Sequence, residues 1–187
     1  YQFLQFHRHL VPFQSSISLC CGLCTAVSTF RFNTKHLYRP LKANEVRIKV
    51  AYCGICGSDI HEYESGPIFT PAAGLKNPVT GLELPVTMGH EFVGTVSEIG
   101  SSVTNVKVGQ NVVVDPILHD RHYNRELCHA CKSGVPNACK RCTVYGLSHS
   151  GGGLASESVV YASTCIPMPD TMSLKDGALV EPFTISY

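Results

Sequence analysis

A mainly β fold, a barrel or sandwich of short strands, is what this sequence predicts. Three observations carry that expectation. Val46, Ile48 and Val50 alternate with Arg47 and Lys49, the period of a half-buried strand. Further strand stretches occur at Glu91–Ile99, Asn111–Asp115 and Glu157–Ala162. Gly94, Gly100 and Gly109 punctuate them as turns or bulges would.

The other elements follow in order. The chain begins with Tyr1, which reads as a fragment, and residues 1–44 contain no Asp or Glu. The small, polar and apolar run Ser15–Thr29 has a faint likeness to an organelle-targeting peptide, but residues 1–34 are read as an irregular leader of unknown role. Residues 64–87 hold Pro67, Pro71, Pro78 and Pro85 with Gly66, Gly74 and Gly81, and predict a long surface loop bordering a site. Residues 116–150 form a second loop-rich lobe that carries four cysteines. Ser173 with Asp176 three residues on is an N-cap pattern, so a helix is expected over Leu174–Val180, with Glu181 on it or just beyond.

The 187 residues suffice for one domain, alone or with an arm. Net charge is +1 and charged residues make up 16%, with no basic stripe, so nucleic acid is excluded as a partner. The same balance disfavours an RNA-binding Cys₄ module over residues 128–142. No apolar run reaches the ~18 residues of a transmembrane span. The ten cysteines include the pairs Cys21/Cys24, Cys53/Cys56, Cys128/Cys131 and Cys139/Cys142. Such spacing points to metal binding or redox chemistry in a reducing compartment, here the cytoplasm. Cys53 itself is read as core packing, since no βαβ pattern supports a thioredoxin-like use.

Cys56 is followed by Ser58, Asp59 and His61, and later by Gly89-His90-Glu91. A thiolate, an imidazole and a carboxylate suit Zn²⁺, and three protein ligands with an open position are the catalytic form of such a site. A hydroxyl and a second histidine close behind offer protons a way out.

Cys53-Gly54-Ile55-Cys56-Gly57-Ser58-Asp59-Ile60-His61, Gly89-His90-Glu91 and Val180-Glu181-Pro182 together resemble the medium-chain zinc-dependent alcohol and polyol dehydrogenases. Gly66-Pro67-Ile68-Phe69, Gly146-Leu147-Ser148 and Gly151-Gly152-Gly153-Leu154 are similar to the 2,3-butanediol and sorbitol dehydrogenase branch. The resemblance implies a GroES-like β-barrel catalytic domain over residues 35–187, with the Rossmann domain that should follow it absent from this chain. It further implies a catalytic zinc on Cys56, His90 and Glu91, with Glu181 binding the metal or its water. Asp59 would orient the ligand histidine, and Ser58 and His61 would relay the alcohol proton. The implied function is oxidation of a small secondary alcohol, vicinal diol or polyol with NAD(P), the fragment alone being inactive and the full-length form able to oligomerise. The alternative is a truncated, non-catalytic zinc-binding module. The nearest approach to a dinucleotide fingerprint, Gly151–Ser156, lacks its third small residue and distant acid and is read as a flexible loop.

The family's structural zinc lobe uses four cysteines. Cys128, Cys131 and Cys139 match the later three, but Arg125 stands at the first position, and a guanidinium has no lone pair to donate. Either the lobe has lost its zinc or Cys142 supplies the fourth sulfur; the second reading is slightly preferred. His119, His122 and His129 are read as solvated loop residues.

Overall fold

The computed structural model describes residues 39–187 and the strand segments Val11–Pro12 (β1), Cys21–Ala26 (β2) and Thr29–Asn33 (β3). The segment 1–34, expected to be irregular, therefore contributes three strands; the rest of it lies outside the described residues, as do the side chains of Cys21 and Cys24. The alternating run at Val46 becomes β4, Glu45–Gly54, which ends one residue short of Ile55-Cys56 and passes into helix α1, Gly57–Ser65. The proline- and glycine-rich stretch after α1 is a loop that closes in the short β5, Val86–Thr87. Strands β6 (Glu91–Ile99) and β7 (Asn111–Val114) follow, as the sequence predicts.

The loop-rich lobe contains β8 (Ile117–Leu118), a 3-10 turn at Asp120–Tyr123, α2 (His129–Lys132) and β9 (Thr143–Val144). Beyond it come β10 (Glu157–Tyr161), β11 (Cys165–Pro167), α3 (Leu174–Gly177) and α4 (Val180–Ser186). Ser173 caps α3 through the Asp176 N–H at 3.1 Å. The helix expected through Val180 nevertheless stops at Gly177 and a new one begins at Val180.

Antiparallel pairing runs β1-β4-β6-β7-β11, and β10 pairs with the other half of the β4 edge that β1 occupies. The β4–β6 ladder slips register at Arg47/Ile48 and at Val50/Tyr52. Such bulges bend and twist a sheet. One face of the sheet buries Val46, Ile48, Val50, Phe92, Val96, Val112 and Val114 in the main core, where Cys53 lies as the sequence predicts. The opposite face buries Val93 and Val113 under Met168 and Ala178. With both faces covered, β7 reads as an unbroken Val112-Val113-Val114 run instead of an alternation.

Candidate metal centre

Cys56 is the N-cap residue of α1, and Asp59 sits in its first turn. Asp59 Oδ2 accepts the Cys56 N–H at 3.0 Å, the reciprocal half of a capping box. Its other oxygen accepts the Gly89 N–H at 3.3 Å and faces His90 Nδ1 at 3.6 Å. One buried carboxylate thus ties the start of α1 to the turn that delivers His90.

That turn needs its glycine. Gly89 has φ +89°, and a Cβ there would stand 2.7 Å from Cys53 Sγ and 2.9 Å from the Leu154 nitrogen. The Gly151–Gly153 stretch, expected to be a flexible loop, lies against the same turn. Gly153 N–H donates to the Gly89 carbonyl at 2.8 Å, and Leu154 N–H to that of Met88 at 2.9 Å. Its backbone buttresses the histidine, a role that polarity and spacing do not announce.

Glu91 opens β6 directly across from Gly54, the last residue of β4. A Cβ on Gly54 would come 2.2 Å from Glu91 Oε2, so the glycine leaves the space that the carboxylate fills. The ligand atoms of Cys56, His90 and Glu91 consequently all lie within 4.8 Å of one another. With Nδ1 turned to Asp59, Nε2 is the ring nitrogen left for a metal.

The thiol and the imidazole also act on each other electrostatically. The imidazole beside it lowers the Cys56 thiol, against the opposing effect of burial. Burial disfavours a charged His90, but Asp59 and the Cys56 sulfur outweigh it and hold the ring at about 10. His90 Nδ1 is also buried without a hydrogen-bond partner. Sulfur, nitrogen and oxygen donors converging in this way fit a zinc ion.

The remaining expected residues are placed unevenly. The Cys56 thiol donates to Ser58 Oγ at 3.7 Å, and His61, three residues further along α1, is exposed. Glu181 rides in the first turn of α4 and stands outside the Cys56–His90–Glu91 group. α4 packs on β6 and β7, a placement that the Val-Glu-Pro motif does not reveal. Glu62, unremarked in the sequence, is a buried anchor: its carboxylate accepts the N–H groups of Ile68 at 3.1 Å, Phe69 at 2.8 Å and Thr70 at 3.3 Å, and the Thr70 hydroxyl.

In the lobe, Cys128, Cys131 and Cys139 come together, but the preferred fourth ligand does not. The group is completed by Asp120, all four ligand atoms lying within 4.8 Å of one another. Cys142 is turned aside, its thiol 3.9 Å from the Thr143 carbonyl. The reading of His119 and His122 as solvated is also corrected. His122 Nδ1 accepts the His119 N–H at 3.1 Å, their rings are 4.2 Å apart, and His122 stacks on Tyr161. His129 is exposed, as expected.

Together the sheet and the site define a mainly β domain in which Cys56, His90 and Glu91 converge as a group that could hold a metal ion. The chain belongs to the alcohol dehydrogenase GroES-like domain family, which it matches over residues 42–170. It is similar to (R,R)-butanediol dehydrogenase of Saccharomyces cerevisiae, 42% identical over 153 residues covering 77% of this chain and 40% of the relative. The crystal structure of 2R,3R-butanediol dehydrogenase from Bacillus subtilis has a TM-score of 0.75 and 38% identity, covering 88% of this chain and 44% of that one. An Escherichia coli alcohol dehydrogenase structure complexed with NADH has a TM-score of 0.72 and 30% identity, covering 90% and 44%. The chain therefore spans about two fifths of the length of the relatives it matches. Among the described residues no helix is long and apolar enough to cross a membrane.

Proposed function

We propose that this chain is the zinc-binding catalytic part of an oxidoreductase that acts on the CH–OH group of a small secondary alcohol, vicinal diol or polyol, with NAD(P) as hydride acceptor. The carrying observation is the convergence of Cys56, His90 and Glu91, with Asp59 at the back of the histidine. The similarity to butanediol dehydrogenases supports the substrate class, and the relative holding NADH supports the acceptor.

Zinc bound there would acidify the substrate hydroxyl, as it lowers the pKa of bound water from ~16 to about 7. The protein groups do the rest. Asp59, facing Nδ1 of His90 across 3.6 Å, would set the tautomer and angle of the ring by closing to hydrogen-bond distance when Nε2 takes the metal. Ser58, beside the Cys56 sulfur, would take the hydroxyl proton, and His61, at i+3 on α1 and exposed, would pass it to solvent. A bound nicotinamide would supply the hydride acceptor: the carbinol carbon would give it hydrogen with the bonding pair as the hydroxyl loses its proton, so that C–O becomes C=O. Proton and hydride leave by separate routes, so the atoms balance.

The test is NAD⁺- and NADP⁺-dependent oxidation of (R,R)-2,3-butanediol, sorbitol and xylitol by the complete product of the gene. Ser58→Ala should keep its zinc and turn over at least a hundredfold more slowly, within the ~10²–10⁴ range for lost proton transfer. His90→Ala should lose both metal and activity. Unimpaired turnover by the His90→Ala enzyme would overturn the assignment.

A further inference from the structure

We propose that the cysteine lobe holds its own zinc ion through Cys128, Cys131, Cys139 and the carboxylate of Asp120, which replaces the sulfur missing at position 125. None of these residues belongs to the Cys56 cluster, so the inference stands apart from the catalytic reading.

The sulfur spacing is the first support. Cys128 Sγ and Cys139 Sγ are 3.7 Å apart. A disulfide would bring them to about 2.05 Å. A tetrahedron with Zn–S bonds of about 2.3 Å has edges of about 3.8 Å, which is the separation found. Cys139 Sγ also accepts the Arg141 N–H at 3.4 Å, so the backbone fixes the position of this sulfur.

The second support is the state of Asp120, which is fully buried. An ionised carboxylate offers about four acceptor positions. Arg141 Nε takes one on Oδ1 at 2.6 Å, and the Cys128 N–H takes one on Oδ2 at 2.7 Å. Acceptor capacity remains for a metal, and the two partners hold the carboxylate as outer groups hold a ligating one. Arg141 also offsets part of the negative charge that three thiolates and a carboxylate would leave around a divalent ion.

Chain geometry explains how a residue eight positions before Cys128 reaches the site. The 3-10 turn Asp120–Tyr123 ends in Asn124 with φ 49°, and Arg125 N–H returns to the Asp120 carbonyl at 3.2 Å. The chain doubles back, bringing Asp120 beside Cys128. Arg125 is meanwhile directed away, its guanidinium on the Val79 carbonyl at 2.9 Å and 5.7 Å from the Tyr123 ring centre.

The experiment measures zinc per chain by mass spectrometry after reconstitution, with cobalt as the optical probe. Asp120→Ala should lose about one equivalent, whereas Cys142→Ser should lose none. Asp120→Cys should retain the ion, and in the cobalt form its thiolate-to-metal absorbance should rise by roughly a third of the lobe's contribution, four sulfurs replacing three. That gain of signal decides the matter even if Asp120→Ala does not fold. Loss of zinc from Cys142→Ser, an unchanged cobalt band in Asp120→Cys, or a wild-type chain whose zinc is abolished by His90→Ala would each overturn the proposal.

Discussion

Asp59 Oδ1 faces His90 Nδ1 at 3.6 Å while the other oxygen of the same carboxylate holds the Cys56 N–H at 3.0 Å. Two of the proposed ligands, from separate stretches of chain, thus face one side chain. Asp59→Asn removes the charge behind the imidazole and keeps the shape. Its expected effect is a 10- to 100-fold loss of zinc affinity, of the size seen when such supporting groups are altered. Competition with a chromogenic chelator measures it, and wild-type affinity in Asp59→Asn would contradict the role.

Gly54→Ala tests the opposite wall. The added methyl would meet Glu91 Oε2 at 2.2 Å, so the carboxylate must move. Zinc affinity at the Cys56 cluster should fall at least tenfold, while the overpacked site costs about 1–3 kcal/mol of stability. Metal titration and urea unfolding of the same protein separate the two effects.

Glu62→Gln should be costly for a residue with no metal to hold. The amide exchanges an acceptor oxygen for a donor nitrogen facing the N–H groups of Ile68, Phe69 and Thr70. Hydrogen bonds to a charged acceptor are each worth about 1.5–3 kcal/mol, and a loss in that range is expected overall. The urea midpoint reports it; a change below about 0.5 kcal/mol would show that the contacts are incidental.

Acid should loosen the lobe through His122. Burial, with His119 beside it, depresses this imidazole from 6.5 to about 4. Between those values the unfolded chain binds the proton and the folded chain does not, so stability is complete above about 6.5 and declines as pH falls toward 4. His122→Gln should flatten that decline by on the order of 1 kcal/mol, allowing for solvent screening of a half-buried ring. Denaturation of both proteins at pH 7.5 and 4.5 makes the comparison.

Legibility from the sequence followed the range of the interactions involved. The strands at Val46, Glu91, Asn111 and Glu157 announce themselves because side-chain alternation and apolar runs are local properties. The Ser173 cap is equally local, yet α3 ends at Gly177, where a Cβ would come within 2.7 Å of Met168, a close approach no local pattern contains. Cys56, His90 and Glu91 were readable as a chemical set, their meeting place only from the β4–β6 register. Asp120 was unreadable. A carboxylate eight residues upstream of a cysteine pair has no metal-binding spacing, and only the turn at Asn124 gives it one. The vacancy at Arg125 was visible; the carboxylate proposed to fill it was not.

Helix α1 carries the consequence furthest. Cys56 stands at its head, and Glu62, near its tail, grips residues 68–70. One short helix thus links a sulfur at its start to a loop held near its end. Phe69, half of whose surface is open to solvent, is thereby joined through one helix to the residue that heads the proposed metal pocket.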